Sequence, residues 1–176
     1  MRASDVFYYA DEFTLNWLPD LRAIWGPKGQ QVMIPTPRNN NKRFGIGAVN
    51  YYTGETLVLF RPHKRRQDIL QLLETLLEKH PTGRIFLVWD NVNTHWGSLI
   101  EDVVALAEGR LILLYLPTYS PWLNPIERLW REFRRQVTHN ELFQSLHDLV
   151  EAAKACFRRW NLMPEFVRSL LGHHSV

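Results

Sequence analysis

With 176 residues, 45% apolar and 22% charged, the chain is long enough for one domain with a real core, and its composition excludes disorder. It shows no signal-peptide pattern and no apolar run able to cross a bilayer, and its single cysteine, Cys156, excludes an internal disulfide and reads as core. A net charge of +3 is compatible with a nucleic-acid partner without requiring one.

Residues 6–11 alternate as a strand, with Phe7, Tyr9 and Asp11 on one face, and are expected to end at Asp11-Glu12 on the rim of a sheet. Trp25-Gly-Pro-Lys-Gly29 has turn chemistry between residues 21–24 and 31–34, which predicts a hairpin. Residues 35–43 form a polar, basic loop. Residues 44–52 and 55–60, joined by Thr53-Gly54, complete an antiparallel meander.

The pattern then changes. Arg61, Lys64, Arg65 and Arg66 precede a helix whose apolar face is Ile69, Leu72, Leu73, Leu76 and Leu77, ending near His80-Pro81. Residues 84–89 and 111–116 are continuously apolar, as strands buried on both faces are. Between them, residues 96–108 read as a helix with Leu99, Val103, Leu106 and Ala107 inward and Gly109 as its stop. Residues 146–160 and 165–171 give two more helices. A meander followed by alternating helices and strands predicts an α/β fold with a mixed sheet.

Residues 115–135, YLPTYSPWLNPIERLWREFRR, lead from the last strand through a proline-rich turn into a helix. Asn124 suits the N-cap and Pro125 the first helical position. Ile126, Leu129, Trp130, Phe133 and Val137 form one apolar face, with Glu127 at its edge beside Arg131 and Arg134. A first-turn glutamate also complements the helix macrodipole, so this position alone reads equally as a ligand or as a helix-end charge.

Three acids could meet. Asp11 and Asp90 each follow strand sequence, Glu127 opens the helix after the last strand, and sites in α/β sheets collect at the carboxyl ends of strands. Converging carboxylates repel one another unless a cation is present. Hard oxygen ligands suit Mg²⁺, and two such ions can clamp the attacking and leaving oxygens of a phosphoryl transfer. The histidines and Cys156 lack zinc-finger spacing, so no zinc is expected.

These residues carry a resemblance. Asp11-Glu12, Trp25-Gly-Pro-Lys-Gly-Gln30, Asp90-Asn91 with His95, and Tyr119-Ser-Pro-Trp-Leu-Asn-Pro-Ile-Glu127 with Trp130 resemble the catalytic domain of a DDE transposase of the IS630/Tc1/mariner superfamily. The interval between Asp90 and Glu127 is close to the spacing of that superfamily, and the resemblance covers nearly the whole chain. It implies a ribonuclease H-like fold over residues 1–176 as a single catalytic domain, with Asp11, Asp90 and Glu127 as catalytic and metal-binding residues. It further implies Mg²⁺ or Mn²⁺, as two ions, and DNA strand cleavage followed by strand transfer, with water and then a DNA 3′-hydroxyl attacking a phosphodiester.

The implied partners are double-stranded DNA, both transposon ends and target, and a second copy of the chain on that DNA. No membrane partner is implied. The implied location is the bacterial cytoplasm, at the nucleoid when acting on DNA. Asn91 and His95 match family positions beside the second aspartate. His95 would contact DNA or orient a site residue, or else serve as a helix-entry histidine. Glu12 reads as an exposed strand-end acid in preference to one that supports the site, Asn124 as a cap, and Trp130 as core in preference to a base-stacking platform. Arg131 and Arg134 are candidate phosphate contacts near the scissile bond, with Arg38, Lys42, Arg43, Lys64, Arg65 and Arg66 as candidates further out. The family's helix-turn-helix segments have no room before residue 11, so the chain reads as the second half of a split-frame transposase, whose separate N-terminal half would supply them, as a truncated remnant, or as a catalytic fragment. Two other readings remain: a ribonuclease H-like nuclease without strand transfer, and a non-catalytic remnant that binds DNA or another subunit.

Overall fold

The computed structural model describes residues 4–23, 25–30, 33–34, 36, 39, 41–91, 97–118 and 120–172. A five-stranded sheet has the order β3-β2-β1-β4-β5, from β1 (Val6–Asn16), β2 (Lys42–Asn50), β3 (Thr56–Arg61), β4 (Ile85–Trp89) and β5 (Leu111–Tyr115). The first three strands are antiparallel, whereas β4 runs parallel to β1 and β5 parallel to β4. The expected mixed sheet is present.

Strand alternation divides the core in two. Tyr8, Ala10, Ile46, Ala48, Ile85 and Leu87 face α1 (Arg66–Lys79) and α2 (Ser98–Leu106). Phe13, Leu15 and Val49 face α3 (Ile126–Val137), α4 (Leu146–Asn161) and α5 (Pro164–Leu170). Every apolar residue assigned to the buried face of α3 is buried, as is Cys156 on α4.

Several expectations require correction. β1 does not end at Asp11; its pairing with β2 continues to Asn16 opposite Lys42, which makes Asp11 a mid-strand residue. The hairpin over residues 21–34 is absent among the described residues, and Trp25 there is fully exposed. Residues 24, 31 and 32 lie outside the described residues. On α2, Ile100 and Ala107 are buried and Val103 and Val104 half-buried, whereas Leu99 and Leu106 are exposed. Both sets have helical spacing, so only packing distinguishes them. The segment 111–116 is not buried on both faces, because β5 is an edge strand with Leu114 exposed.

Candidate active site

The pairing register creates the site. β1 and β4 pair from Val6↔Ile85 to Tyr9↔Val88, and β4 ends at Trp89, while β1 continues for several residues. β1 therefore outruns its parallel neighbour and leaves a notch. Asp11 projects from β1 on the α3 side of the sheet, and Asp90 is the first residue past β4. Asp11 is thus at the carboxyl end of the parallel pair although it lies in mid-strand.

Two side chains from the α3 region tie the notch together. The indole Nε1–H of Trp130 donates to Asp11 Oδ2 at 3.0 Å, so a core residue one turn beyond Glu127 also holds the first aspartate. Asn124, buried to 1% exposure, donates from Nδ2 to the Ala10 carbonyl at 3.0 Å and, at 3.5 Å, to Asp90 Oδ1. Its Oδ1 accepts from Ile126 N at 3.4 Å, but α3 begins one residue later than expected, with Pro125 and not Asn124 at the N-cap position. Asn124 is therefore a link rather than the cap: it ties β1, Asp90 and the entry to α3. Gly47 pairs with Asp11 across β1 and β2, and a Cβ on Gly47 would lie 2.6 Å from the Trp130 ring. Only glycine leaves the indole room to lie against the sheet there.

The electrostatics follow from this placement. Burial pushes the Asp11 carboxyl up to about 8; the charge of Glu12 adds to the rise, as do those of Glu127 and Asp90. Two acids distant in sequence thus act on a third through space. Among the described residues, no three histidine, cysteine, aspartate or glutamate side chains stand in an arrangement that would grip an ion as they are. Like charges repel, which favours the acids standing apart. The donor set is all carboxylate oxygen, which fits Mg²⁺ or Mn²⁺ rather than a soft metal.

The remaining sequence candidates divide. Arg131 and Arg134 line a cleft of about 450 Å³ with Glu127, as expected, and two further residues, Arg22 and His139, line it as well. Nothing near Arg22 or His139 in the sequence marks them; only the fold brings them to Glu127. Asn91 is exposed and reaches Thr118 Oγ1 at 3.5 Å. His95 and Arg38 lie outside the described residues. Glu12 is corrected: it projects to the other face, its side chain is 4% exposed, and Lys64 Nζ lies 2.9 Å from its carboxylate. Lys64 is thereby engaged within the fold.

Residues 6–150 match the family model described as DDE superfamily endonuclease. The insertion element IS630 uncharacterized 39 kDa protein of Shigella sonnei is 30% identical over 158 residues, covering 89% of this chain and 42% of that protein. The Mos1 strand transfer complex superposes with a TM-score of 0.70 at 18% identity, over 94% of this chain and 50% of that one. The catalytic domain of Mos1 mariner transposase gives 0.61 at 15% identity, over 95% and 78% respectively. The Mos1 paired-end complex with Mn gives 0.67 at 15% identity, over 94% and 53%. The chain therefore spans less than half of its IS630 relative.

Proposed function

The chain belongs to the DDE superfamily of endonucleases, in the IS630/Tc1/mariner group, and on that premise we propose that it cleaves DNA strands and joins a 3′-hydroxyl end to target DNA. Asp11, Asp90 and Glu127 are the acids of this reading, and residues 1–176 act as one catalytic domain. The observation that carries it is the two-sided fastening of the notch: Trp130 holds Asp11 while Asn124 joins Asp90 to β1, both from the segment that carries Glu127. One structural relative was solved with Mn and another with Mg, which supports divalent ions as the cofactor.

The three carboxylates would hold the metal, and a bound pair supplies Lewis-acid charge to the attacking and leaving oxygens of an in-line phosphoryl displacement. The chain's own residues do the preparation. Trp130 fixes one oxygen of Asp11, so the carboxylate loses little orientational freedom when it ligates. Asn124 keeps Asp90 in register with β1. The raised Asp11 carboxyl must give up its proton to act as a ligand, so ion binding and proton release are coupled. Arg131 and Arg134 offer guanidiniums to DNA phosphates beside Glu127, and Asn91 and His95 are further DNA or positioning candidates. The Mos1 transposase paired-end complex with the left transposon end supports the same class of substrate. In this reading two copies of the chain act together on DNA.

The test uses a duplex ending in a free 3′-hydroxyl, a supercoiled plasmid and Mn²⁺. Joined product that disappears in Asp90→Asn supports strand transfer. Metal-dependent nicking without joining indicates a hydrolytic nuclease, and no reaction with a recognition half added indicates a remnant.

A further inference from the structure

Residues 17–22 leave the end of β1 and are fastened to the far end of α3. Asp20 N donates to the Thr138 carbonyl at 3.3 Å, Asn140 N to the Asp20 carbonyl at 3.0 Å, and Thr138 Oγ1 to Asp20 Oδ2 at 3.0 Å. Asn140 holds a left-handed backbone (φ 55°), and its Oδ1 accepts from Arg22 N at 2.7 Å. Trp17 Nε1 adds a bond to the Phe143 carbonyl at 2.9 Å. This latch brings Arg22 to the cleft shared by Glu127, Arg131, Arg134 and His139.

The charges in that cleft are open. Among the described residues, Arg22, Arg131 and Arg134 make no ion pair, whereas Arg135 on the same helix is bound by both oxygens of Glu132. Three guanidiniums around one carboxylate leave a positive surplus in a concave site, which an anion with several oxygens would neutralise.

We propose that Arg22 is a positioning residue for DNA, completing with Arg131, Arg134 and His139 a cleft that takes a backbone phosphate adjacent to the one served by Glu127. This inference rests on the DNA-directed reading above and deepens it. The Asp20–Thr138–Asn140 latch is the device that sets Arg22 in place.

The test is fluorescence anisotropy of a short labelled DNA duplex against salt concentration, without divalent metal. Arg22→Ala should weaken binding and reduce the slope of log K against log salt by about 0.9, the value for one lost phosphate contact. Arg22→Lys should restore most of the slope, which a merely structural role would not produce. Lys154→Ala, on α4 and paired with Glu151, is the charge-matched control and should keep the wild-type slope. Thr138→Val, which removes one latch bond, should shift affinity in the direction of Arg22→Ala. An unchanged slope in a folded Arg22→Ala protein overturns the proposal, as does a wild type that ignores the duplex at low salt. Metal-dependent joining lost in Asp90→Asn is read in a separate assay, so the catalytic reading stands or falls on its own.

Discussion

Gly47 sits directly opposite Asp11 across β1 and β2, and the Trp130 ring that bonds Asp11 fills the space a side chain on Gly47 would need. Gly47→Ala should therefore act twice: it overpacks the core by about 1–3 kcal/mol and pushes the indole away from the carboxyl. A urea melt reads the first effect. Trp130→Phe, which keeps most of the ring but loses the N–H, isolates the second and should cost about 1 kcal/mol without metal.

Asp11→Asn should raise the melting temperature of the metal-free protein. It removes a buried acid that burial and three neighbouring carboxylates oppose, and an amide oxygen can still accept from Trp130. The same change should abolish stabilisation by Mn²⁺, which for the wild type reaches about 2.7 kcal/mol at a hundredfold excess over Kd. A thermal melt with and without the ion measures both. A variant that still responds to Mn²⁺ like the wild type would remove Asp11 from the ligand set.

The pH dependence has a definite sign. Asp11 ionises at about 8 in the fold, against 3.8 for the free side chain. Its contribution to stability is whole below about pH 4 and is lost as pH rises through about 8. Between those limits the slope approaches about 1.4 kcal/mol per pH unit, the free energy of one proton held by the folded state alone. Metal-free wild type should therefore lose stability over that window relative to Asp11→Asn. Mn²⁺ affinity should rise over the same window, because ligation requires the proton to leave. Melts across pH, with and without ion, check both slopes.

Asn124→Ala should cost about 1–3 kcal/mol, since it leaves the Ala10 carbonyl without its side-chain donor and removes one tie between Asp90 and β1. Its effect on Mn²⁺ binding should exceed that of an equally destabilising substitution in the distant core, such as Leu76→Ala on α1. Comparing ion-induced melting shifts in the two variants separates positioning from stability.

Much of this fold is legible in the sequence because apolar periodicity and side-chain chemistry agree. α3 is the clearest case, where one stripe of Ile126, Leu129, Trp130, Phe133 and Val137 determines which way Glu127 faces. The order of Asp11, Asp90 and Glu127 is legible too, through motifs around each. What escapes depends on pairing and packing. The end of β1 is hidden because an acid in mid-strand resembles a terminus, while the real limit is set by β2, which pairs as far as Lys42. Leu99 and Leu106 read as buried because an apolar-rich helix offers two faces of similar period. Trp130 as a donor, Gly47 as its clearance, and Arg22 at the cleft are relations between residues far apart in the chain. The amide of Asn124 is the one local hint, since an asparagine can donate as well as accept where a serine cap offers less reach.

β1 is the first strand of the sheet to be synthesised and the central strand of the finished sheet. Its meander partners follow within a few dozen residues, so one edge is satisfied early. The opposite edge stays bare until β4 arrives near residue 85, and Trp130 reaches Asp11 only after more than a hundred residues beyond it have been made. Pairings this non-local form slowly and leave an open strand edge exposed meanwhile. Assembly order thus keeps the three acids apart throughout most of synthesis, and the notch comes together among the last parts of the domain.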